Sequence, residues 1–148
     1  MNTPVNDLLE VKGRAVITIG PGNSVFEAIQ RMADNSCGCL LVVKKSGKMA
    51  GIISERDCFR KVILAEKSPH KVDVKDVMTK MPKVITVTAD KTVEECMAIM
   101  TNNRFRHLPV MKGDKPIGLI SIGDVVKFLV SEQQIMIKNL EKYIEGSL

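Results

Sequence analysis

Gly51-Ile52-Ile53-Ser54-Glu55-Arg56-Asp57 and Gly118-Leu119-Ile120-Ser121-Ile122-Gly123-Asp124 are two versions of one phrase, and their recurrence decides the fold. Gly, Ser and Asp return in register at an offset of 67 residues. Leu41-Val42-Val43 aligns with Leu108-Pro109-Val110 at that same offset. Further upstream, Ser24-Val25-Phe26-Glu27 matches Thr92-Val93-Glu94-Glu95 at an offset of 68, which places one inserted residue ahead of the second middle strand. Even the lead-ins agree, Val5-Asn6-Asp7-Leu8-Leu9 echoing Val74-Lys75-Asp76-Val77-Met78. Self-similarity at a fixed period marks a duplicated supersecondary unit.

Each unit reads as β-α-β-β-α, giving an α/β (α+β) fold. Ala15-Val16-Ile17-Thr18 and Val84-Ile85-Thr86-Val87 are short β-branched runs and predict strands. Ser24 and Thr92 follow as N-caps, with Glu27 and Glu95 three residues on, the pattern of a capping box. Behind them Val25, Ala28, Ile29, Met32 and Val93, Cys96, Met97, Met100 form one apolar helical stripe per unit. Strand pairs are expected at Leu40–Val43 with Met49–Ile53, and at Leu108–Met111 with Ile117–Ile120, joined by polar glycine-containing turns. A second helix starts after each Ser. Neither copy has core enough to stand alone, so the pair should pack about a pseudo-two-fold axis. The expected layout is a first repeat over 1–66 with its lead-in helix, a linker over 67–73, a second repeat over 74–131 and a helical tail over 132–148. In that extended last helix Val130, Ile137, Leu140 and Ile144 form a seam the repeat itself does not need. It faces either a second copy of the chain or its own module.

Composition narrows the function. The 148 residues are 45% hydrophobic but only 3% aromatic, so the core is aliphatic. No apolar run reaches the length of a bilayer span, and no secretory signal is visible, which predicts a cytoplasmic protein without a membrane partner. The net charge of +5 permits a nucleic-acid partner, but the lysines are scattered and lack interleaved aromatics. Cys37, Cys39, Cys58 and Cys96 with His70 and His107 complete no zinc pattern. No Ser-His-Asp order, paired carboxylates or Walker loop emerges, so no enzyme is expected.

The residues that could carry chemistry are Ser54 with Asp57 and Ser121 with Asp124. A leading Gly lets backbone and ligand approach closely. The Ser stands where a helix begins and where free amides favour anions. The ionised Asp can accept from both hydroxyls of a ribose. Read alone, Ser-x-x-Asp is also an ordinary helix cap.

The larger pattern resembles the CBS-domain family, whose tandem repeats form a Bateman module. The resemblance rests on the two Gly-to-Asp phrases, on Arg106-His107-Leu108-Pro109-Val110 and on Asp76-Val77-Met78-Thr79. It implies a cleft between the repeats with two nucleotide sites, each using the Ser and Asp of one repeat and the first strand of the other. One would join Ser54 and Asp57 to Ile85 and Thr86; the other would join Ser121 and Asp124 to Ile17 and Thr18. Arg106, helped by Arg56 and His107, would meet the phosphate at the Asp57 site, making it the tighter one; Cys37 and Cys39 stand at the positions of Arg104 and Arg106 in the first repeat. The implied function is a stand-alone sensor of AMP, ADP, ATP, NAD or another adenosyl compound, acting as a homodimer on a protein partner the sequence does not reveal. Nucleic-acid binding through the basic surface is the alternative.

Overall fold

The computed structural model describes residues 2–146; Met1 and the last two positions of the expected tail lie outside them. The repeats are visible as two halves of the same β-α-β-β-α order. The first half contains β1 (Thr18–Ile19), α2 (Val25–Asp34), β2 (Cys39–Val43), β3 (Met49–Ser54) and the short α3 (Glu55–Cys58), which continues as a π turn over Phe59–Ile63. The second contains β5 (Val87–Thr88), α4 (Val93–Asn103), β6 (His107–Lys112), β7 (Lys115–Ser121) and α5 (Ile122–Gly146). In each half a parallel strand pair leads into an antiparallel hairpin.

The apolar stripes of α2 and α4 behave as their spacing requires, with Val25, Ala28, Met32, Val93, Cys96 and Met100 buried. Ser24 and Thr92 cap these helices, each accepting from the amide three residues on at 3.1 Å. The expected return bonds from Glu27 and Glu95 are not made. Glu27 instead accepts from Asn23, and Glu95 faces Lys91. The first strands are shorter than predicted. Only the two residues that find a parallel partner, Thr18–Ile19 against Leu41–Val42 and Val87–Thr88 against Val110–Met111, join a ladder.

Strand register relocates the inserted residue. Cys39 pairs with Ser54, and His107 with Ser121, so Cys39 corresponds to His107 at an offset of 68. The offset falls to 67 only beyond the hairpin turn, where the first repeat carries the longer connection. Two backbone features agree: Ser36 and Arg104 both have φ above 50°, and the Gly38 and Arg106 carbonyls accept from Glu55 and Ile122 respectively. The first-repeat counterparts of Arg104 and Arg106 are therefore Ser36 and Gly38, not Cys37 and Cys39.

The lead-ins cross over. Helix α1 (Val5–Lys12) buries Val5, Leu8 and Leu9 in the core of the second half, beside Val93, Leu108 and Ile120. The segment after the linker inserts Val74 and Val77 into the core of the first half, and β4 (Thr79–Lys80) pairs antiparallel with β3. Matching main-chain bonds fasten both: Val5 N to Lys91 O at 2.7 Å, and Val74 N to Asn23 O at 2.8 Å. Eight residues rarely hold a helix unaided. Burial of three aliphatic side chains, about 1.5–3 kcal/mol each, keeps α1 in place. A third cluster built on Leu41, Met49 and Met111 joins the halves, with Val16, Ile52, Val84 and Leu119 against it.

The exchange also explains the repeated glycines. A Cβ on Gly51 would lie 2.2 Å from the Thr79 carbonyl oxygen, and one on Gly118 would lie 2.7 Å from Leu9 Cδ2. The close approach they allow is to the exchanged lead-ins, not to a ligand as expected from the sequence.

Helix α5 buries Val125 and packs Ile122, Phe128 and Leu129 on the second core, then leaves the module. Val130, Ile137, Leu140 and Ile144 stay exposed, so the seam does not fold back on its own module. No described helix is long and apolar enough to cross a membrane.

Candidate functional site

Both Ser/Asp pairs sit where a strand turns into a helix, and both close as reciprocal caps. Asp57 N donates to Ser54 Oγ at 3.2 Å while Ser54 N donates to Asp57 Oδ2 at 3.1 Å. Asp124 N donates to Ser121 Oγ at 3.0 Å while Ser121 N donates to Asp124 Oδ2 at 2.8 Å. The ordinary capping role is thus realised in full, and removing such a cap costs about 0.5–2 kcal/mol. It engages one carboxylate oxygen of each Asp. The free amides expected to face an anion are largely used: Glu55 N goes to Gly38 O and Ile122 N to Arg106 O, both at 2.9 Å.

The cations beside the two carboxylates differ. Asp57 Oδ1 lies 3.4 Å from Lys61 Nζ on its own helix, and Lys61 also donates to Val77 O at 2.8 Å. Asp124 Oδ2 lies 2.5 Å from Lys12 Nζ, which arrives from the end of α1 and also donates to Leu119 O. Burial pushes the Asp124 carboxyl up. The hydrogen bonds from Lys12 and Ser121 outweigh it and hold the group below the ordinary carboxylate range.

Between these junctions lies a mixed-charge cluster. His107 is half-buried; burial first, then the charges of Lys12 and Arg106, lower its pKa against the opposing pull of Asp124 and Glu55. The neutral imidazole is the form these surroundings favour. Glu55 lies over Gly38, with its carboxyl carbon 3.7 Å from where a Cβ would stand. Burial and the charges of Cys37 and Glu55, against Lys12, push the Cys39 thiol up to about 12, and burial lifts Cys58 and Cys96 to about 11. These three remain thiols, and all four cysteines are free.

Arg56 and Arg106 are exposed, and Arg104 ends α4 in a left-handed conformation. Ile85 is exposed and Thr86 half-buried in the irregular approach to β5. Ile17 and Thr18 are half-buried and tied to their own repeat, Ile17 O accepting from Leu41 N and Thr18 O from Arg31. Among the described residues no hydrogen bond joins these first strands to the Ser/Asp pair of the opposite repeat. Lys12, Glu55 and Lys61 were not foreseen. Lys61 had a signal, being four residues after Asp57, and Glu55 had its place beside Ser54; nothing local marks Lys12.

The lysines are less scattered in space than in sequence. The two hairpin turns abut: Met49 N donates to Asp114 O at 2.9 Å, Lys48 pairs with Asp114 at 3.5 Å, and Lys115 lies against Gly47. Lys44, Lys45, Lys48, Lys112 and Lys115 thereby share one end of the molecule, all exposed.

Comparison with known proteins places this architecture. The family model for the CBS domain matches residues 3–64 and 74–131. The chain is 38% identical to the mitochondrial CBS domain-containing protein CBSX3 of Arabidopsis thaliana, over 98% of its own length and 73% of that protein's. A CBS-domain crystal structure shares 45% identity at a TM-score of 0.81, covering 88% of this chain and 99% of its own. The CBS domain pair of protein MJ0100, solved with 5′-methylthioadenosine and S-adenosyl-L-methionine, shares the fold at a TM-score of 0.75 and 24% identity, over 89% and 99% of the two chains.

Proposed function

Because the chain belongs to the CBS-domain family, whose paired repeats are regulatory modules, we propose that it senses an adenine nucleotide in the groove between its repeats. The observation that carries the reading is the duplicated Ser/Asp junction. Each cap fixes one carboxylate oxygen of Asp57 or Asp124 and orients the other, as recognition of a ribose diol requires. Adenine, apolar on its faces, suits the aliphatic surroundings of Ile17 and Ile85. Thr18 and Thr86 would read its edge, and Arg106, Arg56 and His107 would meet the phosphate at the Asp57 half. That MJ0100 holds adenosyl ligands in its CBS pair supports the ligand class. AMP, ADP, ATP and NAD share the groups concerned, and AMP is the smallest probe.

The role is regulatory, not catalytic. Both serine hydroxyls serve as helix caps, and the Ser54 hydroxyl donates to the carboxylate of its own cap partner, Asp57, at 3.1 Å. Ligand acts only through unequal affinity for two states, here two arrangements of the repeats or of two subunits paired through the exposed face of α5. We assign the protein to the cytoplasm; the mitochondrial relative makes organelle fractionation the check.

Titration of AMP into the wild type and Asp57→Ala by calorimetry tests the reading. Affinity should fall about tenfold or more, the equivalent of one charge-assisted bond. Unchanged affinity rejects the site, and no heat from any adenosyl compound rejects the sensor. The abutting lysine-rich hairpins favour a second reading, nucleic-acid binding. It would appear as a gel shift that weakens steeply with salt, and as no thermal stabilisation by AMP.

A further inference from the structure

We propose that the outer stretch of α5 docks on the exposed turn at 59–64 of a second copy of the chain, a contact made twice to close a dimer. The inference rests on the pairing of subunits through α5 proposed above and names what that face meets.

Two apolar surfaces of the chain stay open, and they begin on the same face of the same element in each repeat. Cys58 and Val62 turn into the first core, whereas Phe59, Ile63 and Leu64 face outward. At the repeat offset of 67, Phe59 and Ile63 correspond to Val126 and Val130, which are also exposed. From that shared root the two elements diverge. The first ends with the turn at Ile63, while α5 runs on to Gly146. One repeat therefore offers a short platform and the other a long arm.

Charge decides what the arm meets. At 3.6 residues per turn, Val130, Met136, Ile137, Leu140 and Tyr143 share one arc of α5. Glu132 borders that arc on one side, Glu141 and Glu145 border it on the other, and Lys138 and Lys142 fall on the back. Two arms laid together would set acidic border against acidic border, which opposes association. The platform has the opposite balance. Within 59–67 stand Arg60, Lys61 and Lys67 against the single acid Glu66. Lys61 is engaged with Asp57, but Arg60 and Lys67 are exposed beside the apolar side chains. Arm on platform thus covers apolar surface with apolar surface and brings acidic borders to basic ones. A two-fold axis repeats the contact and leaves neither surface over.

The test uses the full chain in sedimentation and light scattering. Phe59→Asp and Leu140→Asp should each weaken dimerisation about thirtyfold or more, the loss expected of a buried apolar anchor, with little change in thermal midpoint. Mixed in equal amounts, the two variants should pair again, because one chain keeps a sound platform and the other a sound arm. Phe59→Asp chains as dimeric as wild type overturn the docking while leaving α5 as a pairing face. So does a mixture that stays monomeric well above the wild-type dissociation constant. A monomeric wild type, or Leu140→Asp chains that dimerise like it, overturns both. A measurement on the wild type guards against misfolded variants. In dimers mixed from light and nitrogen-15 chains, carbodiimide should join Lys67 of one copy to Glu141 or Glu145 of the other. Links between copies confined to α5 would overturn the docking.

Discussion

At the scale of single residues, the Ser/Asp junctions are flanked by charges that do not come from the motif. His107 gives a measurable consequence. Its ordinary pKa of 6.5 is lowered in the fold by burial, then by Lys12 and Arg106. On acidification the unfolded chain binds the proton first, so stability falls between about pH 7 and the lowered folded pKa. His107→Gln should flatten unfolding midpoints measured over that window. A pH dependence identical to wild type would show that the imidazole is not held neutral. Asp124 acts lower on the scale: its depressed pKa stabilises the fold above the ordinary carboxylate value and loses that effect as pH falls through the folded one. The Ser/Asp pairs were legible because a cap is local, closing over three residues. The Lys12 contact was not, because it spans 112 positions of sequence. Only the fold brings them together.

At the scale of elements, the helical stripes and hairpins could be read directly, since their periods survive into the structure. The first strands were overestimated because β-branched composition extends further than the pairing does. The lead-ins were recognised as related, but no periodicity says which core an amphipathic segment will enter. The glycines record that choice and allow a test of it. In Gly51→Ala the new methyl meets the rigid Thr79 carbonyl at 2.2 Å; in Gly118→Ala it meets the Leu9 methyls, which can shift. Both variants should be destabilised in urea, with Gly51→Ala the worse, toward the upper part of the ~1–3 kcal/mol range for overpacking. Equal costs would argue against strand β4 pairing as described.

At the scale of the molecule, the outer stretch of α5 from Val130 onward carries apolar side chains that no core of the module takes up. The 25 residues of the helix run for roughly 37 Å at the usual helical rise, and beyond Val130 its apolar side chains face outward. Leu140 and Ile137 are more than half exposed. If a second copy covers them, Leu140→Asp should turn a dimer into a monomer in light scattering while leaving the thermal unfolding of the module nearly unchanged. A monomeric wild type would remove the assignment. The sequence posed this seam as a choice between self-contact and partner, and packing of the second core eliminates self-contact.

The crossed lead-ins constrain how such a molecule can be divided. Each half completes its interior with a segment from the far side of the chain boundary, Val5 to Leu9 for one and Val74 to Val77 for the other. A lone repeat would therefore face water with a gap where its neighbour's first turn belongs. Two separate copies could close only by trading their opening segments between molecules. Joining them in one chain makes that trade internal, so that whatever tugs on the opening helix of the polypeptide is felt first in the opposite lobe.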